Sequence, residues 1–187
     1  MWFKKQNIAS DEELKSAATD MKEGSVQAFR VLYNAYGQKV YRYCLRLLGD
    51  VELANDAFQE TFLKVYENRD YFKGDNFAAW LFTIARNTCI SQIRTRKDFE
   101  QIAEGQLSSE SIVTEDFGLK NEIKNAINKL PLLLKEAIVL REYQDCTYQE
   151  IAEILQIDVS LAKVRVYRAR IILKKLLKPI VRELNES

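Results

Sequence analysis

The sequence repeats apolar side chains at intervals of three and four residues through several long segments. Residues 26–48 show this repeat most plainly, and the side chains that share one face are Phe29, Leu32, Tyr33, Tyr36, Val40, Tyr43 and Leu47. This interval returns side chains to one face of an α-helix, so the segment is predicted to be an amphipathic helix. The chain has only six Gly and two Pro, which leaves little material for the tight turns of a β-rich fold. The fold is therefore predicted to be all-α.

Polar residues that suit helix N-caps precede several of the predicted helices. They are Ser10, Ser25, Asp50 and Thr147. Glu150 lies three positions after Thr147, which is the spacing of a capping box. After a first helix that begins behind Ser10, the predicted helices of the N-terminal part are 26–48, 51–68 and 76–97.

The stretch DFEQIAEGQLSSESIVTEDFG, residues 98–118, lacks the helical repeat. It is rich in Ser, Glu and Gly and has few large apolar side chains, so it is predicted to be a flexible linker. The linker divides the chain into two small helical domains, residues 1–97 and 119–187.

The second domain has the element order of a helix-turn-helix. Two predicted helices, 119–129 and 131–143, come first. A short helix capped by Thr147, the turn QID and a long helix at 160–178 follow. The long helix is predicted to end there, because Pro179 disfavours its continuation.

The long helix 160–178 concentrates positive charge. It carries seven Lys or Arg and no acid, although the net charge of the chain is only +1. Its predicted packing face consists of Ala162, Val166, Ala169, Leu173 and Leu176. A helix with a narrow packing face and a basic outer face fits a DNA major groove, so α-helix 160–178 is interpreted as a DNA-reading helix. The alternatives are an ordinary solvated surface helix and a helix that lies on a membrane. Arg165 lies nearer the packing side and is expected to pair with Glu150.

The sequence lacks the residues that several classes of protein function require. The chain has no His, and its three Cys are too far apart for a zinc pattern. No Gly-rich phosphate loop or nucleophile elbow is present. No apolar run reaches the roughly 18 residues of a membrane span, and the N-terminus lacks the apolar core of a signal peptide. We therefore expect a cytoplasmic protein that is not an enzyme and needs no metal or cofactor.

A second basic segment lies at the end of the first domain. Residues 86–97 carry Arg86, Arg94, Arg96 and Lys97 and no acid. The aromatic residues Phe72, Phe77, Trp80 and Phe82 surround the polar loop KGDN just before it. Aromatic rings beside positive charge suit single-stranded nucleic acid, in which bases stack and phosphates need neutralising. Trp80 itself is expected to belong to the core.

Two blocks of the chain resemble bacterial sigma factors. AFRVLYNAYGQKVYRYCLRLLGD, ELANDAFQETFLKVYEN and FKGDNFAAWLFTIARN resemble their second conserved region, and LPLLLKEAIVLREYQDCTYQEIAEILQIDVSLAKVRVYRAR resembles their fourth. With these two regions and a short linker, the chain is most similar to the extracytoplasmic-function (ECF) group. The resemblance implies a promoter-specificity subunit that binds core RNA polymerase and directs transcription initiation at promoter DNA. It also implies an anti-sigma factor as inhibitor.

The resemblance assigns three sets of residues. The minus-ten set matches the loop and helix that border melted DNA, and consists of Lys73, Asp75, Asn76, Arg86, Asn87, Arg94 and Arg96. The minus-thirty-five set matches the base-facing positions of the recognition helix, and consists of Lys163, Val164, Tyr167 and Arg168. The core-binding set matches the polymerase-binding motif within NDAFQE, and consists of Asp56, Gln59 and Glu60.

Two departures from the family pattern bear on the helix-turn-helix. Gln156 stands where the turn usually carries Gly, so the turn is expected to be strained or differently shaped. Val164 stands where the family usually has Ser, which exchanges a hydrogen bond for a possible contact with a thymine methyl group.

A function of another class stays open from the sequence. A stand-alone transcription regulator would use residues 147–178 to bind an operator, and its N-terminal domain would sense a signal or dimerise. Such a protein would bind DNA without polymerase, whereas the sigma-factor interpretation expects weak DNA binding until core polymerase is present.

Overall fold

The computed structural model of the chain describes residues 9–74, 76–102 and 119–185. Within these ranges the chain forms eight α-helices and no strand, so the predicted all-α class is confirmed. The helices are α1 (Asp11–Lys22), α2 (Val26–Leu48), α3 (Val51–Glu67), α4 (Phe77–Ile102), α5 (Leu119–Asn128), α6 (Leu132–Tyr143), α7 (Tyr148–Leu155) and α8 (Val159–Asn185). One 3-10 turn, Arg69–Tyr71, joins α3 to the loop before α4.

The predicted N-caps begin helices in the structure. Ser10, Ser25, Asp50 and Thr147 each accept a hydrogen bond from the backbone N–H three residues on. Thr147 and Glu150 form the predicted capping box, and Ser10 and Glu13 form a second one. Each cap is worth about 1 kcal/mol. The short polar connections therefore fix where these helices begin.

Two helix ends differ from the prediction. α4 continues to Ile102 rather than ending near residue 97. α8 continues through Pro179 to Asn185, so the prediction that it ends at Lys178 is wrong. Pro179 cannot donate the backbone hydrogen bond to the carbonyl of Lys175, yet the helix continues past it to Asn185.

The helices α1–α4 and α5–α8 form two bundles that pack on each other. Within the first, α2 packs against α1, α3 and α4, and within the second, α8 packs against α5, α6 and α7. Between them, α6 lies on α2 and α7 lies on α4. Buried residues of both bundles form one continuous apolar cluster. The predicted linker falls outside the described residues beyond Ile102, and its exact bounds stay a prediction.

The helix-turn-helix consists of α7, a tight turn and α8. Gln156 ends α7 in the left-handed conformation, with φ 54° and ψ 50°. Its backbone N–H bonds the carbonyls of Ala152 and Glu153, which closes the last turn of α7. A Gln residue is strained in this conformation because its Cβ approaches the following carbonyl. The turn therefore has the backbone conformation in which strain at Gln156 is expected.

Replacing Gln156 with Gly is expected to raise the free energy of unfolding by about 1 kcal/mol, because Gly adopts positive φ without the Cβ clash. Chemical denaturation of both proteins measures the difference. The same exchange at the neighbouring Gln149, inside α7, is expected to lower stability by up to about 1 kcal/mol. If both variants lose stability equally, the turn is not strained.

Within the described ranges, no helix combines the length and the apolar character that crossing a membrane requires. Among the same residues, no group of His, Cys, Asp and Glu side chains is arranged to hold a metal ion. Cys44, Cys89 and Cys146 are free thiols, and all three are buried.

Candidate nucleic-acid and partner-protein surfaces

The first half of α8 has one buried face and one exposed face. Ala162, Val166 and Ala169 are completely buried, and they let α8 approach α6 and α7 closely. The side chains of the minus-thirty-five set point away from this packing and are exposed: Lys163, Val164, Tyr167 and Arg168. Tyr167 is 66% exposed and Val164 is 40% exposed, so apolar and aromatic surface lies among the positive charges.

Two basic side chains of α8, Arg170 and Lys163, contact residues of α6 and α7. Arg170 lies on the same helix and forms an ion pair with Glu142 of α6, with Nη2 2.6 Å from Oε1. The ammonium group of Lys163 lies 6.0 Å from the ring centroid of Tyr148. Arg170 therefore ties α8 to α6, whereas Lys163 extends over the edge of α7.

The expected pairing of Arg165 with Glu150 is wrong. Glu150 accepts hydrogen bonds from the backbone N–H and the hydroxyl of Thr147, both at 2.8 Å, and from Nδ2 of Asn76 at 3.3 Å. Burial opposes the ionisation of Glu150, but these three hydrogen bonds outweigh it and lower its pKa. The carboxylate therefore joins α7 to the loop before α4 and not to α8.

The aromatic residues around the KGDN loop pack mostly on one another. Phe72 and Phe77 are buried, and their ring centroids lie 5.3 and 5.8 Å from that of the half-buried Trp80. Trp80 packs against the core, as expected. Lys73 is exposed, and Asp75 lies outside the described residues. The exposed aromatic ring of this region is that of Tyr71, which is 72% exposed and which sequence reasoning missed.

Asn76 begins α4. Its side-chain oxygen accepts a hydrogen bond from the backbone N–H of Ala79 at 3.0 Å, which is the contact of an N-cap. Its side-chain amide donates to Glu150 across the two bundles. Both ends of the side chain are therefore engaged in this conformation.

The remaining members of the minus-ten set follow along α4. Arg86 donates from Nε to Oε1 of Glu136 at 2.7 Å, and Glu136 is completely buried in α6. A second guanidinium nitrogen of Arg86 donates to Asn87 at 3.3 Å. Asn87, Arg94 and Arg96 are exposed. The structure thus divides the set into residues at the contact with the second bundle and residues on open surface.

The core-binding set lies on one side of α3. Asp56 and Gln59 are exposed, and Glu60 forms an ion pair with Lys64 at 2.6 Å. Ala57 and Val65 on the opposite side are completely buried. Leu63 is 57% exposed and falls four and three residues after Gln59 and Glu60. Sequence reasoning missed Leu63, although its helical spacing from the set is a usable signal.

Two family models match the chain in the order of the two bundles. The model of Sigma-70 region 2 matches residues 32–99, and the model of Sigma-70, region 4 matches residues 120–173. The chain belongs to the sigma-70 family. The match to region 4 covers α7 and the first half of α8, and the match to region 2 covers α3 and most of α4.

Comparison with related proteins identifies the group within the sigma-70 family to which this sigma factor belongs. The ECF RNA polymerase sigma factor SigW of Bacillus subtilis is 34% identical over 89% of this chain and 98% of the relative. The ECF RNA polymerase sigma-E factor of Escherichia coli is 32% identical over 87% of this chain and 93% of the relative. This sigma factor is therefore a member of the ECF group.

A solved structure agrees with this assignment. The sigma factor RpoE of Bartonella quintana, in complex with the anti-sigma factor NepR, is 32% identical and superposes with a TM-score of 0.73. The similarity covers 82% of this chain and 98% of that chain. The prediction of two small helical domains, the second a helix-turn-helix, is confirmed.

Proposed function

We propose that this sigma factor binds core RNA polymerase and directs it to promoters, reading the minus-thirty-five element as duplex and the minus-ten element as an opened strand. The observation that carries the proposal is the exposed basic face of α8 in a helix-turn-helix, opposite the completely buried side chains of Ala162, Val166 and Ala169. The polymerase supplies the chemistry, and the chain itself catalyses no reaction. It acts in the cytoplasm, where polymerase and promoter DNA meet.

The outer face of α8 supports duplex reading in the major groove. Lys163 and Arg168 neutralise phosphates or donate to guanine, since a helix carrying such side chains fits that groove. Val164 and Tyr167 offer the apolar contacts that distinguish a thymine methyl group from other base edges. Direct base contacts are thus assigned to these four side chains, which lie within about one and a half turns of α8.

The minus-ten surface combines a loop with the exposed side of α4. Lys73 and Tyr71 lie together at the loop, where the ring of Tyr71 offers a stacking platform for an unstacked base. Asp75, Asn76 and Asn87 supply polar groups for base edges. Arg86, Arg94 and Arg96 provide the positive charge that an opened strand requires along its phosphates.

Asn76 provides a test of base capture. Asn76→Ala removes both the helix cap and the amide, whereas Asn76→Ser keeps a capping oxygen and removes the amide. We expect both variants to slow open-complex formation about tenfold, since one hydrogen bond to a base is lost. Permanganate footprinting of the opened strand measures the rate, and duplex binding should change less. A Ser variant that melts promoters like the wild type would reduce the role of Asn76 to that of a cap.

The polar side of α3 is assigned to core polymerase. Asp56, Gln59 and Glu60 meet basic side chains on a helix of the partner, and the exposed Leu63 adds an apolar contact at the same face. Charge complementarity of this kind sets the orientation and the on-rate, while the buried apolar contact slows dissociation.

An anti-sigma factor is assigned as the inhibitor. The support is the likeness to RpoE of Bartonella quintana, which was solved with the anti-sigma factor NepR. The apolar side chains Leu161, Val164 and Ile171 are also 40 to 50% exposed on α8, a surface that a protein inhibitor covers as readily as DNA does.

The rival function is a stand-alone regulator, and affinity capture with purified core polymerase separates the two. A sigma factor is retained on immobilised core and binds promoter DNA weakly without it. A regulator ignores core polymerase and binds its operator alone. If the protein is retained on immobilised core polymerase but does not bind promoter DNA more tightly in its presence, the proposal is wrong.

A further inference from the structure

Exposed apolar side chains concentrate on α8. The described residues include nine large apolar side chains that are exposed, and four of these lie on this one helix: Leu161, Val164, Tyr167 and Ile171. Ile171 is 50% exposed, although the minus-thirty-five set ends at Arg168. Single exposed apolar side chains are common on soluble proteins, whereas several on one helix indicate a surface that a partner covers.

Ile171 lies at the centre of the base-facing side of α8. It follows Val164 by seven residues, so the two side chains point in directions that differ by only about 20°. Tyr167 and Arg168 fall on either side of the line that joins them. The completely buried side chains of α8 lie on the opposite side of the helix. Ile171 therefore continues the face that the proposed function assigns to duplex DNA.

Packing within the protein does not account for Ile171. The next two residues, Ile172 and Leu173, are half-buried and pack against the apolar cluster. They bury this turn of α8, whereas Ile171 points away from the cluster. Because apolar surface in water is unfavourable, covering Ile171 with an apolar group of a partner would stabilise the bound state.

The spacing along α8 relates Ile171 to a particular part of the duplex. Val164 and Ile171 are about 10.5 Å apart along the helix axis. Base pairs rise about 3.4 Å each, so the two side chains face positions about two or three base pairs apart. Thymine presents its C5 methyl group in the major groove, and apolar side chains contact it there. An aliphatic side chain at this place therefore fits a thymine.

Positive charge continues beyond Ile171 on the same face. Lys175 and Lys178 are exposed, about one and two turns further along α8. From Val164 to Lys175 the helix rises about 16.5 Å, which exceeds the groove width of about 12 Å. A straight helix that places Val164 and Ile171 on base edges thus brings these two ammonium groups to the bordering phosphates.

We propose that Ile171 is a further specificity-determining residue, and that it contacts a thymine methyl group about two or three base pairs from the position that faces Val164. This inference rests on the proposed function, since it adds one position to the same duplex site. Lys175 and Lys178 bind the adjoining phosphates, which carry no sequence information but hold α8 in register. The chain thus reads one more base pair than the minus-thirty-five set alone.

The test removes the methyl group from the DNA and the aliphatic group from the protein. Start sites are first mapped with core polymerase, and each thymine of the minus-thirty-five element, on either strand, is replaced singly by uracil. Holoenzyme assembled from core and the full chain, or a full-length variant, binds these duplexes in competition with the unmodified promoter. Ile171→Ala removes the proposed contact. Leu133→Ala is the matched control, since Leu133 is 52% exposed on α6 of the same region.

We expect wild-type holoenzyme to lose about fourfold in affinity at the thymine that faces Ile171, which is the effect of one buried methyl group. Ile171→Ala should bind thymine and uracil equally at that position and respond like the wild type at every other. Leu133→Ala should respond like the wild type throughout. A minus-thirty-five element with no thymine at which Ile171→Ala differs from the wild type would overturn the inference. Normal initiation by that wild type would leave the proposed function standing, whereas absence of initiation would overturn both.

A second variant tests the phosphate contacts that define the same placement of α8. Lys175→Gln with Lys178→Gln should lower the slope of log affinity against log salt concentration by about two, because each phosphate contact contributes about one. Discrimination between thymine and uracil should stay as in the wild type. An unchanged salt slope would place this end of α8 away from the duplex and contradict the inference.

Discussion

Replacing Asp56 and Gln59 with Lys is expected to reduce affinity for core RNA polymerase at least about a hundredfold. Both side chains are exposed on α3, so the exchange should leave the fold intact. In the proposed contact the new charges would face basic side chains of core polymerase, and like charges at an interface cost several kcal/mol. Fluorescence anisotropy with labelled sigma factor and purified core measures the affinity.

A matched control separates this effect from a general change of charge. Asp20→Lys with Gln27→Lys makes the same two exchanges at exposed positions of α1 and α2. We expect this control to bind core polymerase like the wild type. Equal loss of affinity in both double variants would mean that long-range charge, and not a contact at α3, governs the association.

Replacing Arg168 with Ala is expected to lower transcription from the cognate promoter about tenfold to a hundredfold, with core binding unchanged. Arg168 is exposed on the outer face of α8, and a good side-chain pair with a base is worth about 1 to 3 kcal/mol of discrimination. Multiple-round transcription at the mapped promoter measures the loss, and the anisotropy experiment shows whether core affinity is retained.

Arg170→Ala is the control for Arg168. It removes the same side chain two positions along α8, but this guanidinium pairs with Glu142 and lies off the base-facing set. An exposed pair of this kind contributes little, about 0 to 1 kcal/mol, so transcription should fall far less. Parallel loss of transcription and core binding in Arg168→Ala would assign Arg168 a structural role.

Local features of the fold were predictable from the sequence because their causes are local. The N-cap side chains accept hydrogen bonds from backbone groups three residues away, so a few neighbouring residues determine where each helix starts. These N-caps are Ser10, Ser25, Asp50 and Thr147. Pro179 misled the same reasoning. The cost of a Pro inside a helix is finite, and at this position it does not end α8.

Contacts between distant residues were not predictable in the same way. Glu150 was expected to meet Arg165 nearby in sequence, but it accepts from Asn76, 74 residues away. Arg86 meets Glu136 across 50 residues. No periodicity or motif encodes these pairs, because they depend on how one bundle packs on the other.

The candidate surfaces also combine features that the sequence predicts with features that it does not. The exposed side of α8 follows from spacing alone, since Ala162, Val166 and Ala169 had to pack on one face. The exposure of Leu63 could have been inferred from its helical spacing to Gln59 and Glu60, whereas nothing in the sequence indicated that Tyr71 is exposed. The contacts of Asn76 and Arg86 with the second bundle were equally hidden, since the sequence does not show how the two bundles pack.

In vitro transcription with purified core polymerase tests the central claim most directly. Core alone and core with the full-length chain are compared on a library of genomic DNA fragments, and the start sites are mapped. The account predicts discrete start sites that appear only when the chain is present and that share sequence elements upstream at the minus-ten and minus-thirty-five positions. Failure of the chain to associate with core, or an unchanged set of transcripts in its presence, would contradict it.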